Sequence, residues 1–182
     1  MFDIRNIQEI TIYEAVKLES DANTASEVVY GCEQEAQTES NSEWVKAAMR
    51  RLEGKFPFDT IKKIRMNCQC GYGMDEKLAL VKELMKGSTS IEELTNSEKA
   101  KAAGLFCKNG ELFLRFEFCP CPMLADVEQL ETTAWCQCTT GYSKVLFEKA
   151  FACDVDVELL KSIKMGDPVC LMKITLCNPV WG

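Results

Sequence analysis

The position that divides this sequence most sharply is Gly104, where the hydrophobic period changes. Before it, apolar residues recur every three to four positions, as they do from Trp44 to Leu52, which is typical of amphipathic helices. After it, apolar and polar residues alternate from Leu112 to Phe118, which is the period of a strand. The sequence therefore predicts an α+β fold in which a helical N-terminal half packs on an antiparallel sheet.

The helical half contains five predicted helices, which begin near Thr24, Asn41, Asp59, Met74 and Ser90. Short polar residues are common at helix starts, because their side chains accept a hydrogen bond from a free main-chain N–H. We expect Asp59 and Ser90 to be N-cap residues. The first of these helices is predicted to continue through Cys32 and Ala36.

The second half contains the predicted sheet. A turn at Asn109-Gly110 would pair the alternating strand with residues 105–107 in a hairpin. A helix capped by Thr139 or Thr140 follows, and it forms the intervening helix of this half. The other predicted strands are residues 133–138, 155–160 and 169–176. Hairpins of this kind imply an antiparallel sheet.

We interpret residues 1–182 as a single domain with a mainly helical, acidic half over 1–103 and a sheet half over 104–177. Residues 1–45 carry ten acidic and two basic side chains, and the net charge of −7 argues against a nucleic-acid partner. The chain has neither a signal-like start nor an apolar run near about 18 residues. We therefore expect no membrane insertion and a cytoplasmic location.

The eleven cysteines and the complete absence of histidine restrict the chemistry. Without histidine there is no histidine base and no histidine metal ligand. An odd number of cysteines cannot pair completely within one chain, and in a reducing cytoplasm thiols or thiolate ligands are expected. Six cysteines form three CxC pairs: Cys68 and Cys70 (first pair), Cys119 and Cys121 (second pair), and Cys136 and Cys138 (third pair).

The cysteines of one pair are two residues apart, so in an extended segment their sulfurs face the same side, roughly 6 to 7 Å apart. Two pairs brought together would form a tetrathiolate site suited to zinc or, less well, to an iron-sulfur cluster. The first and third pairs both run from CQC through Gly-Tyr into a predicted helix, whose N-terminus favours thiolate. Pro120 and Pro122 stiffen the second pair, which forms either a rigid loop or the end of an edge strand.

Cysteine also packs as a small apolar residue, and we expect that role for Cys32, Cys107, Cys153 and Cys177. For the three pairs, the same packing role remains an alternative to ligand binding. Aromatic residues beside the pairs are candidate walls of an apolar ligand pocket, although tryptophan is more often simply part of the core. These candidate ligand contacts are Trp135, Tyr72 and Tyr142.

The run from Cys136 to Ile174 resembles the closing segment of the 4-vinyl reductase type of small-molecule-binding domain. The shared features are a cysteine followed by Gly-Tyr and a helix, a V-x-V-E strand, and a strand that begins Gly166-Asp167-x-x-Cys170. That superfamily also resembles trafficking-complex subunits that bind acyl chains and haem nitric-oxide sensor domains. The segment is similar, too, to proteins of anaerobic bacteria that carry its CxC version.

The resemblance implies a zinc site in this part of the chain. Cys138 and Cys170 match two of the family's zinc ligands, Glu158 lies one place from a third, and Ser162 stands where the family has a cysteine. A thiol of the first pair, or Cys136 of the third pair, would have to supply the ligand that is missing at the position of Ser162. The predicted metal ligands are therefore Cys68, Cys70, Cys119, Cys121, Cys136, Cys138 and Cys170.

Three functional hypotheses follow. The first is a non-enzymatic, sensor-like domain that binds a metal ion, zinc first, or a small apolar ligand among its thiols. The second is a thiol enzyme or redox protein whose nucleophile is Cys70 or Cys138, with Asp75 or Glu148 for proton transfer. The third is an interaction protein that forms a homodimer through its acidic helices or a sheet edge.

Overall fold

The structure is a computed structural model, and it describes residues 3–31 and 40–181. Within these residues there are eight α-helices and four β-strands. The helices are α1 (Ile4–Glu19), α2 (Ala22–Tyr30), α3 (Asn41–Glu53), α4 (Phe58–Met66), α5 (Met74–Met85), α6 (Ile91–Thr95), α7 (Glu98–Ala102) and α8 (Gln137–Phe151). The strands are β1 (Leu105–Lys108), β2 (Glu111–Phe116), β3 (Asp154–Lys161) and β4 (Cys170–Cys177).

The four strands form one antiparallel sheet in the order β1-β2-β4-β3. Asn109 and Gly110 join β1 to β2, and both have positive φ, as a two-residue hairpin turn requires. In that hairpin Leu105 lies opposite Leu114. The α+β class, the hairpin and the two C-terminal strands are therefore confirmed.

Two apolar clusters hold the helices in place. One joins α5, α8 and the inner face of the sheet, and its largest fully buried members include Phe147 and Phe151. The other joins α1 to α4 with the segment before α8, and Trp44 and Trp135 lie at its centre. Helix α8 contacts α4, α5 and β3, so it connects the two clusters.

The predicted strand over residues 133–138 is wrong. Ala134, Trp135 and Cys136 are consecutive and all buried, whereas a strand with one exposed face buries every second side chain. They form a turn that leads into α8, which begins at Gln137. The predicted caps Thr139 and Thr140 therefore lie inside the helix.

Most helix starts follow the predicted chemistry. Ser40 and Glu43 form a capping box at α3, and Ser90 caps α6. Asp59 is not an N-cap, because α4 begins one residue earlier, after Pro57. Helix α2 ends at Tyr30 with Gly31 as its C-cap, and the predicted continuation through residues 32 to 36 lies outside the described residues.

Gly141 allows α8 to cross α4 at close range. A Cβ atom on Gly141 would stand 1.9 Å from the carbonyl oxygen of Met66, a main-chain atom that cannot move aside alone. This crossing places the first turn of α8 against the end of α4. The third CxC pair lies at the start of α8, and the first CxC pair directly follows α4. None of the described helices is long and apolar enough to cross a lipid bilayer.

Candidate ligand pocket and thiol cluster

A cavity of about 260 Å³ lies between β1, β2, α5 and α8. We call it the apolar pocket, because nearly all of its wall is hydrocarbon. The sheet, α5 and α8 each contribute large apolar side chains, among them Leu114, Phe116, Leu80, Leu146 and Phe147. A concave apolar cavity of this kind is a common form of small-molecule site.

Each of the three CxC pairs contributes one cysteine to the wall of the apolar pocket. Cys70 comes from the segment between α4 and α5, Cys121 from the segment after β2, and Cys138 from the first turn of α8. The three pairs are far apart in the sequence, and the close α4–α8 crossing helps to bring them together. The pocket therefore combines an apolar wall with three sulfur atoms.

Two tyrosines and a lysine meet where α8 approaches α5 and the turn before it: Tyr142 belongs to α8, Lys77 to α5 and Tyr72 to the turn. The hydroxyl of Tyr142 donates a hydrogen bond to the carbonyl oxygen of Tyr72 at 2.9 Å. Lys77 Nζ stands 4.6 Å from the centre of the Tyr142 ring, and Lys77 is the only charged side chain among the described residues that line the pocket. Burial raises the pKa of Tyr142 to about 12, so its hydroxyl stays a donor at neutral pH.

A second, smaller cavity of about 20 Å³ lies on the other side of the second pair. We call it the thiol cavity, because four cysteines line it: Cys119, Cys121, Cys136 and Cys170. Cys121 and the neighbouring Pro120 line both cavities. The sequence-distant Cys170, at the start of β4, is thereby brought to the second and third pairs.

The thiols in the thiol cavity have individual partners. The sulfur of Cys136 lies 3.4 Å from the hydroxyl of Ser162, and the indole N–H of Trp135 donates to the sulfur of Cys121 at 3.4 Å. Cys119 and Cys170 line the same small cavity. Hydrogen bonding from the Cys119 thiol to the Cys170 sulfur lowers the pKa of Cys170 to about 6 and raises the pKa of Cys119.

The thiols of Cys68 and Cys138 donate hydrogen bonds to main-chain carbonyl oxygens. The Cys138 thiol donates to the carbonyl oxygen of Cys68 at 3.0 Å, and the Cys68 thiol donates to the carbonyl oxygen of Ile64 at 3.1 Å. Burial raises the pKa of Cys68, that of Cys136 to about 11 and that of Cys138 to about 12. The prediction that a helix N-terminus holds Cys138 as a thiolate is therefore wrong, because desolvation outweighs the helix dipole.

Sequence analysis missed Arg65, which is fully buried beside these thiols. Its guanidinium lies 4.3 Å from the centre of the Trp135 ring, and Nη2 donates to Gln8 Oε1 at 3.1 Å. Nε and Nη1 have no hydrogen-bond partner among the described residues. Ile61, Ile64 and Arg65 have the spacing of one buried face of α4, and Cys68 continues that spacing just after the helix, so this pattern was the signal that could have found Arg65.

A sequence model described as a family of unknown function, DUF6144, matches residues 1–181. The chain belongs to the DUF6144 family. No curated protein and no solved structure matches it. The resemblance of the Cys136–Ile174 segment to 4-vinyl reductase type domains stays a prediction.

In this member of the DUF6144 family, the predicted zinc ligands divide between the two cavities. Cys138 lines the apolar pocket, Cys170 lines the thiol cavity, and Glu158 on β3 lies opposite Lys173 of β4. Among the described residues, no three cysteine or carboxylate side chains are grouped so that they could hold one metal ion. As placed, the thiols do not fit zinc or a cluster, and metal binding stays a prediction that metal analysis of the purified protein would test.

Of the residues predicted for a thiol enzyme, Cys138 and Glu148 are separated from each other. Glu148 lies ten residues after Cys138 on α8, about 15 Å along the helix, and forms an ion pair with Lys144 at 2.6 Å. Asp75 is exposed in the first turn of α5. Glu148 therefore cannot take a proton from Cys138 directly.

The three tryptophans do not line the apolar pocket. Trp135 packs edge-to-face against Trp44 with ring centres 5.7 Å apart, and Trp181 packs in the same way against Phe151. Of the cysteines expected to pack as apolar residues, Cys177 is exposed and Cys107 and Cys153 are partly buried. Cys32 lies outside the described residues.

Proposed function

We propose that the protein is a binding domain for a small apolar molecule, which it holds in the apolar pocket against the thiols of the three CxC pairs. One observation carries the proposal. A cavity of about 260 Å³ with a hydrocarbon wall receives one sulfur from each of three sequence-distant pairs, namely Cys70, Cys121 and Cys138. Apolar cavities with a few convergent polar or polarisable groups are typical of ligand sites.

The dimensions of the apolar pocket limit the ligand. A cavity of about 150 Å³ lined by aliphatic and aromatic side chains takes up benzene. The apolar pocket has a volume of about 260 Å³, so a two-ring aromatic or a short branched aliphatic molecule fits it better than a nucleotide or a sugar. The wall offers little to satisfy a polar ligand, since burying an unpaired polar group costs roughly 1 to 3 kcal/mol.

The thiols supply the contacts that distinguish this pocket from an ordinary apolar cavity. Sulfur is polarisable and packs favourably against aromatic rings, so three sulfurs on one wall favour a flat, aromatic ligand. The ten cysteines in the described ranges are free thiols, which supports a reducing compartment such as the cytoplasm for this function.

The proposal is tested by titrating the reduced protein with the neutral fluorophore N-phenyl-1-naphthylamine. In Leu80→Trp an indole would occupy the apolar pocket, and we expect binding at least tenfold weaker than in the unchanged protein. The matched control is Leu160→Trp, because Leu160 is an exposed residue of β3 away from the pocket. Equal binding by both variants, or no saturable binding by the unchanged protein, would refute the proposal.

The role of the thiols is tested separately by alkylation. A bound fluorophore should slow the reaction of iodoacetamide with Cys70 and Cys121, which are partly buried in the pocket wall. The reaction of Cys177, which is exposed at the end of β4, should be unchanged. If the fluorophore binds and protects none of the pocket cysteines, the ligand does not lie against the thiols.

A further inference from the structure

Two of the four cysteines that line the thiol cavity come from the same end of the β2–β4 ladder. Cys170 is the first residue of β4 and pairs with Phe116, the last residue of β2. The chain bends after Phe116 and returns Cys119 to the same cavity, where Cys170 also lies. Two thiols from the same end of one strand ladder thereby line a single space of about 20 Å³.

The backbone on both sides of this space is restricted. Cys119 precedes Pro120, and a residue before proline is confined to extended conformations. Cys170 is fixed by the β2–β4 ladder. Little conformational freedom remains to be lost if the two sulfurs become bonded, since both main-chain segments are already ordered.

The other two thiols of the cavity have different neighbours. Cys136 contacts Ser162, and Cys121 accepts a hydrogen bond from the indole of Trp135. Cys119 is partly exposed, whereas Cys136 and Cys170 are buried. Of the cavity's possible pairings, Cys119 with Cys170 therefore joins a thiol with access from solvent to a buried thiol that is held by the strand ladder in the same small cavity.

We propose that Cys119 and Cys170 are a redox modification site, at which exchange with a low-molecular-weight disulfide forms a reversible intramolecular disulfide bond. This proposal does not depend on a ligand in the apolar pocket. The bond would close a loop from the end of β2 to the start of β4, and it would tie the second CxC pair to the sheet. Oxidation therefore fixes the segment that separates the two cavities, which includes Pro120 and Cys121.

The exchange balances in two steps. In its thiolate form, after losing its proton to solvent, Cys119 attacks one sulfur of the oxidant. The S–S bond of the oxidant breaks, and one thiol molecule leaves. The Cys170 sulfur then attacks Cys119 in this mixed disulfide, and the second thiol molecule leaves. Two electrons and two protons pass from the two cysteines to the oxidant, which ends as two thiols.

The test uses the full chain, treated with a chelator, reduced, and then equilibrated in glutathione buffers with a rising fraction of glutathione disulfide. After free thiols are blocked, a non-reducing tryptic digest is analysed by mass spectrometry. We expect the peptide 165–173, whose only cysteine is Cys170, to become linked to the peptide 116–144. The linked species should be lighter than the two reduced peptides by two hydrogen atoms and should disappear with dithiothreitol.

Variants assign the bond within the peptide 116–144, which contains four cysteines. The link should be lost in Cys119→Ser and retained in Cys121→Ser and Cys136→Ser. If Cys119→Ser fails to fold, fragmentation of the unchanged protein's linked peptide before Pro120 separates Cys119 from the other cysteines and assigns the bond directly. A link that persists in Cys119→Ser, or that maps to another cysteine, overturns the proposal.

Cys153 and Cys177 provide an internal reference for simple accessibility. Cys177 is exposed and lies opposite Asp154, the residue that follows Cys153, so this pair is also close. We expect the Cys119–Cys170 link to form at a glutathione disulfide fraction no higher than the fraction at which the Cys153–Cys177 link forms. If Cys153 and Cys177 become linked while Cys170 stays free in fully oxidising buffer, accessibility rather than the geometry of the thiol cavity governs oxidation, and the proposal is wrong.

Discussion

The Cys138 thiol donates a hydrogen bond to the main-chain carbonyl oxygen of Cys68 at 3.0 Å, and this contact joins the third CxC pair to the first. The side-chain amide of Gln8 donates to the same carbonyl oxygen at 2.8 Å. A donor role requires the protonated thiol, which agrees with the raised pKa of Cys138. The junction of α4 with α8 is thus held by neutral hydrogen bonds, and it sets the position of one wall of the apolar pocket.

This junction depends on Gly141, so Gly141→Ala should be strongly destabilising. The new Cβ atom would stand 1.9 Å from the carbonyl oxygen of Met66, and main-chain atoms on both helices would have to move apart. We expect the free energy of unfolding, measured by urea denaturation, to fall by about 3 kcal/mol, at the upper end of the cost of overpacking.

The matched control is Gly54→Ala at the end of α3. Gly54 has an ordinary right-handed φ of −69°, and its added Cβ would meet only carbonyl oxygens at 3.5 and 3.6 Å. We expect this variant to be more stable by about 0.5 kcal/mol, because alanine restricts the unfolded chain. Equal effects of the two substitutions would show that the α4–α8 crossing is looser than described.

The two CQC runs show how far the sequence alone could predict the site. Both precede a Gly-Tyr dipeptide and a helix, but their glycines serve different purposes. Gly71 has a φ of +70° in a turn before α5, with open space around it, whereas Gly141 lies inside α8 and is required by the Met66 main chain. A local sequence pattern reports helix and turn chemistry, and it carries no information on which main chain crosses a glycine.

The fold class and the sheet hairpins were predictable because their signals are local: hydrophobic period, the Asn109-Gly110 turn and helix caps. The convergence of the three pairs on the apolar pocket could only be hypothesised, since it arises from contacts between distant segments. The protonation of Cys138 was predicted with the wrong sign, because desolvation depends on what buries the sulfur. Tertiary burial decided each of these differences.

Replacing the buried charge of Arg65 should stabilise the protein. Two of its guanidinium nitrogens, Nε and Nη1, have no hydrogen-bond partner among the described residues, and burying a charge that is incompletely hydrogen-bonded is costly. We expect Arg65→Met to raise the free energy of unfolding by about 1 kcal/mol at pH 7, since an apolar side chain of similar length keeps the packing on Trp135. Arg65→Lys, which keeps the charge but loses the planar stacking, should be less stable than the unchanged protein.

The same substitution has a second, chemical readout. The positive charge of Arg65 lowers the pKa values of Cys136 and Cys138, although burial outweighs it. Without that charge, the thiolate fraction of both cysteines falls, and alkylation of Cys138 by iodoacetamide at pH 8.5 should be slower in Arg65→Met than in Arg65→Lys. Faster alkylation in the methionine variant would mean that local opening, not charge, controls the reaction.

Stability should decline at alkaline pH because of the buried thiols. Burial raises the pKa of Cys136 from 9.0 to about 11 and that of Cys138 to about 12, so the unfolded chain releases these protons first. Stability is therefore unaffected by these groups below pH 9 and falls as the pH rises toward 11. Each thiol contributes a slope of up to about 1.4 kcal/mol per pH unit.

Thermal denaturation between pH 8 and 11 measures this slope. Other groups also titrate in that range, so the informative quantity is the difference between the unchanged protein and Cys136→Ala, whose decline should be shallower. Cys177→Ala is the control, because Cys177 is exposed. Parallel declines for all three proteins would place the Cys136 thiol in contact with water.

Tyr142→Phe should loosen one side of the apolar pocket without unfolding the protein. The substitution removes the 2.9 Å hydrogen bond to the Tyr72 carbonyl and leaves the aromatic ring beneath Lys77. We expect faster hydrogen exchange at residues 71–73 and a loss of about 1 kcal/mol in the free energy of unfolding.

The control is Tyr13→Phe. The Tyr13 ring on α1 likewise contacts a lysine, Lys17, but it lies away from the pocket, so exchange at residues 71–73 should not change. Unchanged exchange in Tyr142→Phe as well would mean that the turn before α5 is held by its own backbone, and that the tyrosine hydroxyl does not restrain the pocket wall.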